Sequence, residues 1–253
     1  MMEKIEELIL EVIKARAVEI RDVPSRVTNE EVEKLPLSRQ PFLYSSGNWG
    51  PGYVTIKNLV GRKKIIKSLC QELAKKVARE VPRLDFVAGN VTGGVIPGWL
   101  LSEYLESLLG RIVPFVYIRD TRKKGGQKEL ITGIANNPEI RPGANGANGL
   151  VVEELVNFAQ TTCNGARALR EAEYTVTHAA CILFYNNPES LKSLQAAGIK
   201  MVYLFTLSQL LKVAEKYQTH SRKAIDDYRQ FLKDPLGWQA KRGLKPIKEG
   251  GTK

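Results

Sequence analysis

A chain of 253 residues, 43% of them hydrophobic, can bury one substantial core or two small ones, and a net charge of +11 favours anionic partners such as nucleotides, diphosphates or nucleic acid. Cys70, Cys163 and Cys181 are odd in number and far apart in apolar or helical surroundings, which argues against a disulfide framework and for a reducing, cytoplasmic location. The opening MMEKIEELILEVIKARAVEI breaks up its apolar residues with acids, and no later stretch is uninterruptedly apolar, so neither a secretory signal nor a membrane span is expected.

Residues 4–15 place Ile5, Leu8, Ile9, Val12 and Ile13 at helical spacing and predict an amphipathic helix. Residues 21–40, of mixed polarity with two prolines, read as a linker carrying a short helical turn. Phe42, Leu43 and Tyr44 read as an edge strand. Glycine-rich SSGNWGPG follows, then YVTIKNL, whose alternation predicts another strand. Over residues 62–80, Ile65, Ile66, Leu69, Cys70, Leu73 and Val77 recur three or four apart, which predicts a helix stopped by Pro82. Phe86-Val87-Ala88 reads as a buried strand, residues 95–109 as a helix, and residues 111–118 as a strand.

Polar RDTRKKGGQKE then reads as an exposed, mobile loop. The following stretch is too rich in Gly, Asn and Pro for a central element and suggests an edge hairpin. Leu150-Val151-Val152 forms an apolar strand ending in Glu153-Glu154. Residues 162–171 read as helix, 174–184 as strand, 188–197 as helix, 201–205 as strand, and 207–217 and 223–232 as helices. In residues 238–253, Lys241, Arg242, Lys245, Lys248 and Lys253 face only Glu249, which reads as a solvated basic tail, with weak RNA contact as the alternative. No zinc-finger spacing, RNA-recognition aromatic pair or suitably placed GxxG accompanies it.

Strands separated by helices need crossover connections, so the expected fold is α/β, a mainly parallel central sheet with helices on both faces. Residues 1–40 form an N-terminal helix and linker, 41–218 the core, and 219–253 a C-terminal helix and basic tail. Ligands in such sheets bind beyond the carboxyl ends of the strands, where four loops collect. Gly89-Asn90-Val91-Thr92-Gly93-Gly94, between a strand and a helix, suits either a tight structural turn or backbone amides turned to an anion. It lacks the GKS/GKT ending of a P-loop, and GxGxxG is absent. Glu153-Glu154 suits sugar hydroxyls or waters around Mg²⁺, or else one solvent-facing acid and one local cap. Residues 119–126 suit neutralisation of a departing diphosphate, or a plain basic surface loop. Residues 45–53 offer amides, hydroxyls and aromatic surface to a planar ring, or a hairpin with Trp49 over the core.

In this order the loops resemble those of orotate phosphoribosyltransferases and the wider type I phosphoribosyltransferase family, over residues 42–217. SSGNWGPGYV is similar to the SG-x-x-SPYY/F segment that helps hold orotate, through Ser46, Gly47, Pro51 and Tyr53, with Ser45 where a lysine is usual. DFVAGNVTGGVIP is similar to the pyrophosphate loop, which assigns Gly89, Asn90, Val91, Thr92, Gly93 and Gly94 to substrate. IRDTRKKGG resembles the mobile RK-x-x-K-x-HG loop, making Arg119 and Lys123 the expected catalytic residues, with Asp120 replacing a lysine and Gly125 the histidine. LVVEELVNFAQT resembles the phosphoribosyl pyrophosphate signature, with Glu153 and Glu154 in place but Asn157-Phe158-Ala159-Gln160 where TTGG is usual. Phe158 and Gln160 bring bulk to where small residues admit the 5-phosphate, so obstruction or a different loop path is expected. Asn157, Thr161 and Thr162 are the substitute donors.

The resemblance implies transfer of ribose 5-phosphate from phosphoribosyl pyrophosphate to a pyrimidine base such as orotate, with Mg²⁺ as cofactor, no firm direct metal ligands, and a homodimer. Glu153 and Glu154 would reach the metal through water or substrate. A non-catalytic nucleotide- or phosphate-binding regulator and a basic nucleic-acid-binding protein are the competing readings.

Overall fold

The computed structural model describes residues 2–44, 46–119, 130–135, 137–143 and 146–247. The opening helix is α1 (Met2–Lys14), which buries Leu8, Ile9, Val12 and Ile13. A strand not expected from the sequence follows as β1 (Val18–Ile20). Residues 21–40 hold only α2 (Asn29–Val32) and a 3-10 turn at Leu37–Arg39. Then come β2 (Phe42–Leu43), β3 (Trp49–Gly50) and β4 (Gly52–Val54). The strand expected over YVTIKNL is cut short, because β4 finds a partner only in short β1, whose register ends at Val18↔Val54. Beyond it the chain winds into a 3-10 helix, Ile56–Gly61, whose period of three buries Ile56 and Leu59 together.

Next are α3 (Lys63–Glu80), β5 (Phe86–Asn90) and α4 (Val95–Leu109). The strand expected from residue 111 begins later, as β6 (Phe115–Ile118), because Pro114 has no N–H to donate to a ladder. Its neighbour β7 (Ile131–Thr132) runs antiparallel to it at the sheet edge. The remaining units are β8 (Asn148–Val156), α5 (Gln160–Glu171), β9 (Thr175–Phe184), α6 (Pro188–Ala196), β10 (Lys200–Thr206) and α7 (Leu207–Lys216). Two helices close the described chain, α8 (Arg222–Lys233) and α9 (Pro235–Arg242).

The six-stranded sheet has the order β10-β9-β8-β5-β6-β7, parallel except at β7. Helices α3 and α4 pack on one face, α5 and α6 on the other. Alternation along the middle of β8 divides the core: Leu150 and Val152 enter one apolar cluster, Val151 between them the other. Each fully buried aliphatic side chain of this kind contributes ~2 kcal/mol. No helix among the described residues is long and apolar enough to cross a membrane.

The basic C-terminal stretch is not simply a solvated tail. Asp234 caps α9 by accepting from Gly237 N–H, Pro235 occupies its first turn, and left-handed Gly243 ends it. Trp238 and Arg242 are buried; the Arg242 guanidinium lies 3.9 Å from the Trp238 ring centroid and donates to Asp227. The hydrophobic body and polar tip of Trp238 explain the docking, since its Nε1–H also donates to Asp227 at 3.0 Å. Residues 248–253 lie outside the described residues.

Helix α9 holds the small β2–β3 sheet. Trp49 N–H donates to Gln239 Oε1 at 2.8 Å, and Gln239 Nε2 donates to Asn48 Oδ1 at 3.1 Å. Tyrosine hydroxyls tie the neighbouring segments: Tyr228 of α8 donates to Tyr185, just beyond β9, at 2.8 Å, and within the smaller unit Tyr44 donates to the Gly52 carbonyl at 2.7 Å.

Candidate functional site

The carboxyl ends of β5, β6 and β8 converge beside the start of α5. The sequence places Glu153-Glu154 at a strand terminus, but β8 continues to Val156, because the longer β9 pairs with it as far as Val156↔Phe184. The two acids therefore sit within the strand and point to opposite faces.

Glu153 is buried on the α5 side. Asn90 Nδ2 donates to its Oε1 at 2.7 Å and to the Thr161 carbonyl at 3.1 Å, linking β5, β8 and α5. Gly165 in α5 makes room for this link; a Cβ there would lie 2.4 Å from Asn90 Oδ1. Glu154 turns toward the β5–α4 loop, where a Cβ on Gly93 would lie 1.7 Å from its Oε2, so only glycine lets the carboxyl rest against the loop backbone. Burial pushes the Glu154 pKa up, and the Leu155 N–H and the Lys57 charge offset this only in part. Lys57 arrives on the 3-10 helix that replaces the expected strand.

In the β5–α4 loop, Gly89 and Asn90 close the strand, Val91 N–H donates to the Ile118 carbonyl at 2.9 Å, and Gly94 N–H returns to Asn90 O at 2.9 Å. Thr92 is exposed at the tip. This loop faces the turn 157–159, where Ala159 adopts φ 66 to start α5. Phe158 is buried in the core, so its ring lies beneath the turn rather than in front of it. Thr161 is exposed in the first helical turn. Thr162 is fully buried, its hydroxyl without a hydrogen-bond partner among the described residues.

Asn157 is fixed by a residue the sequence reading missed. Fully buried Asn187 donates through Nδ2 to Asn157 O at 3.2 Å and Oδ1 at 3.0 Å, while its own Oδ1 caps α6 at Ser190 N–H. The Asn187-Pro188 pair, an N-cap followed by proline, is the available sequence signal.

Arg119 stands where β6 ends. Its Nε donates to Thr132 Oγ1 at 3.1 Å and its Nη2 to the Tyr117 hydroxyl at 3.0 Å. Asn90, Arg119, Thr161 and Gly165 line one cleft of about 120 Å³. Lys123, Asp120 and Gly125 lie outside the described residues, as does Ser45. Ser46, Gly47 and Tyr53 do not line this cleft. They belong to the smaller unit, where Tyr53 stacks between Phe42 and Tyr44 with centroids at 5.5 and 6.3 Å. Among the described residues no cluster of three or more His, Cys, Asp or Glu side chains has the geometry of a metal site.

A mainly parallel sheet of this topology, with loops gathered at its carboxyl edge, is the type I phosphoribosyltransferase fold. An orotate phosphoribosyltransferase structure from Aeropyrum pernix superposes with a TM-score of 0.59 at 20% identity, covering 83% of this chain and 99% of that one. The Leishmania donovani UMP synthase structure gives 0.65 at 20% identity, with 90% of this chain matching 42% of that longer one. No protein-family model matches. In sequence, the chain is 30% identical over 209 residues to the orotate phosphoribosyltransferase of Agrobacterium fabrum, covering 81% of this chain and 84% of that protein. It is 28% identical over 207 residues to that of Sinorhizobium medicae, covering 81% and 83%. The chain belongs to the orotate phosphoribosyltransferase family, and the resemblance and fold class read from the sequence are borne out.

Proposed function

We propose that the chain transfers ribose 5-phosphate from phosphoribosyl pyrophosphate to a nitrogen of a pyrimidine base such as orotate, releasing pyrophosphate. The observation that carries this reading is the convergence of the β5–α4 loop, the Glu153-Glu154 pair and the first turn of α5. The diphosphate sits on the Gly93 amide and the exposed Thr92 hydroxyl, in a turn that the Gly94 N–H holds shut through Asn90 O. The 5-phosphate sits at the positive start of α5, on its free amides and the Thr161 hydroxyl. Between them, Glu154 takes the ribose hydroxyls, and Glu153, tied to Asn90, holds the two anion sites in register.

As the C1–O bond to diphosphate lengthens, positive charge develops on the ribose and negative charge on the leaving group. Arg119 and Lys123 neutralise the latter, and the base nitrogen forms the new bond to C1 while pyrophosphate departs with the electron pair. Ser46, Gly47 and Tyr53 bind the base from the smaller unit. A Mg²⁺ ion would be held chiefly by substrate oxygens, with Glu154 contributing through water, since Mg²⁺ commonly takes only one or two carboxylates and keeps waters. When bound it supplies charge neutralisation to the diphosphate. A homodimer is proposed from the exposed apolar residues Ile96 and Trp99 on α4.

The test is pyrophosphate release from phosphoribosyl pyrophosphate and Mg²⁺ across a panel of bases. Release dependent on orotate is expected; a folded protein that turns over none of them contradicts the reading.

A further inference from the structure

Away from the catalytic edge, α1, the C-terminal half of α3, β10 and α7 enclose an open groove of about 500 Å³. That lies within the range of small-molecule sites, roughly 300–1,000 Å³. Ile5, Leu204 and Val213 line its base, and the aliphatic stems of Lys75, Lys76, Arg79 and Lys212 carry apolar surface up the walls.

Its two acids are paired with cations: Glu72 Oε1 lies 2.6 Å from Lys4 Nζ and 2.8 Å from Lys75 Nζ, and Glu6 Oε1 accepts from Lys216 and Tyr217. Gln209 spends its Oε1 on the Thr206 N–H at 2.7 Å, which leaves its amide donors for the groove. Lys76 is held at the wall, its Nζ donating to the Tyr203 carbonyl at 2.7 Å and lying 4.5 Å from that ring centroid. Arg79, 56% exposed, pairs through Nη2 with the exposed Glu80 Oε1 at 3.2 Å, and Lys212 makes no ion pair among the described residues. Lys75, Lys76, Arg79 and Lys212 outnumber the paired acids Glu6 and Glu72, which leaves the lining net positive above an apolar base. The groove shares no lining residue with the catalytic cleft. Its strand β10 lies two strands from β8, about 10 Å away.

We propose that this groove is a second binding site, for a small organic anion that joins a phosphate, sulfonate or carboxylate head to an apolar body. The body lies over Ile5, Leu204 and Val213, and the head meets Arg79 and Lys212. The site stands independently of the transferase reading.

The probe is 1-anilinonaphthalene-8-sulfonate, titrated by fluorescence into the full chain at low ionic strength. Saturable one-site binding is expected, undisturbed by pyrophosphate. Arg79→Glu and Lys212→Glu are each expected to weaken it about tenfold or more while melting as the wild type does. Lys233→Glu, in the neighbouring pocket that shares Lys212 but not in this groove, should leave the affinity unchanged. Unchanged affinity in both groove variants, displacement of the dye by pyrophosphate, or an equal loss in Lys233→Glu each overturns the proposal.

Discussion

Ala159 holds φ 66 at the head of α5, a left-handed conformation that costs an L-residue roughly 1–2 kcal/mol and a glycine little. Ala159→Gly therefore relieves the turn at some cost in unfolded-state entropy, and a net gain of about 0.5–1 kcal/mol in chemical denaturation is expected. Equal or lower stability would show that the conformation carries no strain. Glu154 gives a pH signature. Burial raises its pKa in the fold, so its contribution to stability is greatest at low pH and declines as pH rises from the ordinary carboxylate range through the raised value. Glu154→Gln should be more stable than the parent at neutral pH, with the advantage vanishing in acid, while the proposed role of Glu154 toward the waters of Mg²⁺ predicts a fall in turnover of roughly 10- to 100-fold. Melting curves from pH 4 to pH 8, with parallel kinetics, check both parts. The side-chain types of the site were legible in the sequence, since paired acids after an apolar strand are a local pattern. Their division between two faces was not, because it depends on how far β9 extends β8. Asn187 went unnoticed because its partner, Asn157, is 30 positions away.

Among the elements, α5 is located by the contact of Gly165 with Asn90. Gly165→Ala gains about 1 kcal/mol of helix propensity but must displace an amide bonded to a buried carboxylate, an interaction of roughly 1.5–3 kcal/mol. A net loss of about 1 kcal/mol is expected, with a higher KM for phosphoribosyl pyrophosphate; a stabilised variant with unchanged KM would show that Asn90 adapts freely. Elements with strong periodicity were legible: the spacing over residues 62–80 became α3, and residues 95–109 match α4. Failures fell where pairing overrides pattern. YVTIKNL alternates as a strand does, yet β1 offers it a partner only as far as Val54. Helix α9 carried its start and stop signals in Asp234, Pro235 and Gly243, but its charge suggested a solvated tail because Arg242 finds Asp227 only in the folded chain.

The whole molecule joins a parallel sheet to a smaller unit assembled from distant segments. Trp49 and Gln239, 190 positions apart, meet in that unit, and no local pattern announces such a contact. The order of the loops did foretell the sheet, because parallel strands require crossovers and crossovers put the loops at one edge. The proposed homodimer contact uses the exposed Ile96 and Trp99 of α4, so Trp99→Glu is expected to shift sedimentation from dimer to monomer; a monomeric parent would rule that contact out. A crystal structure with phosphoribosyl pyrophosphate and Mg²⁺ bears most directly on the transferase reading. The diphosphate should rest on the Gly93 amide and the Thr92 hydroxyl, the ribose hydroxyls beside Glu154, and the 5-phosphate on the first turn of α5 next to Thr161. Density for the substrate elsewhere, or a 5-phosphate excluded from that turn, would contradict it.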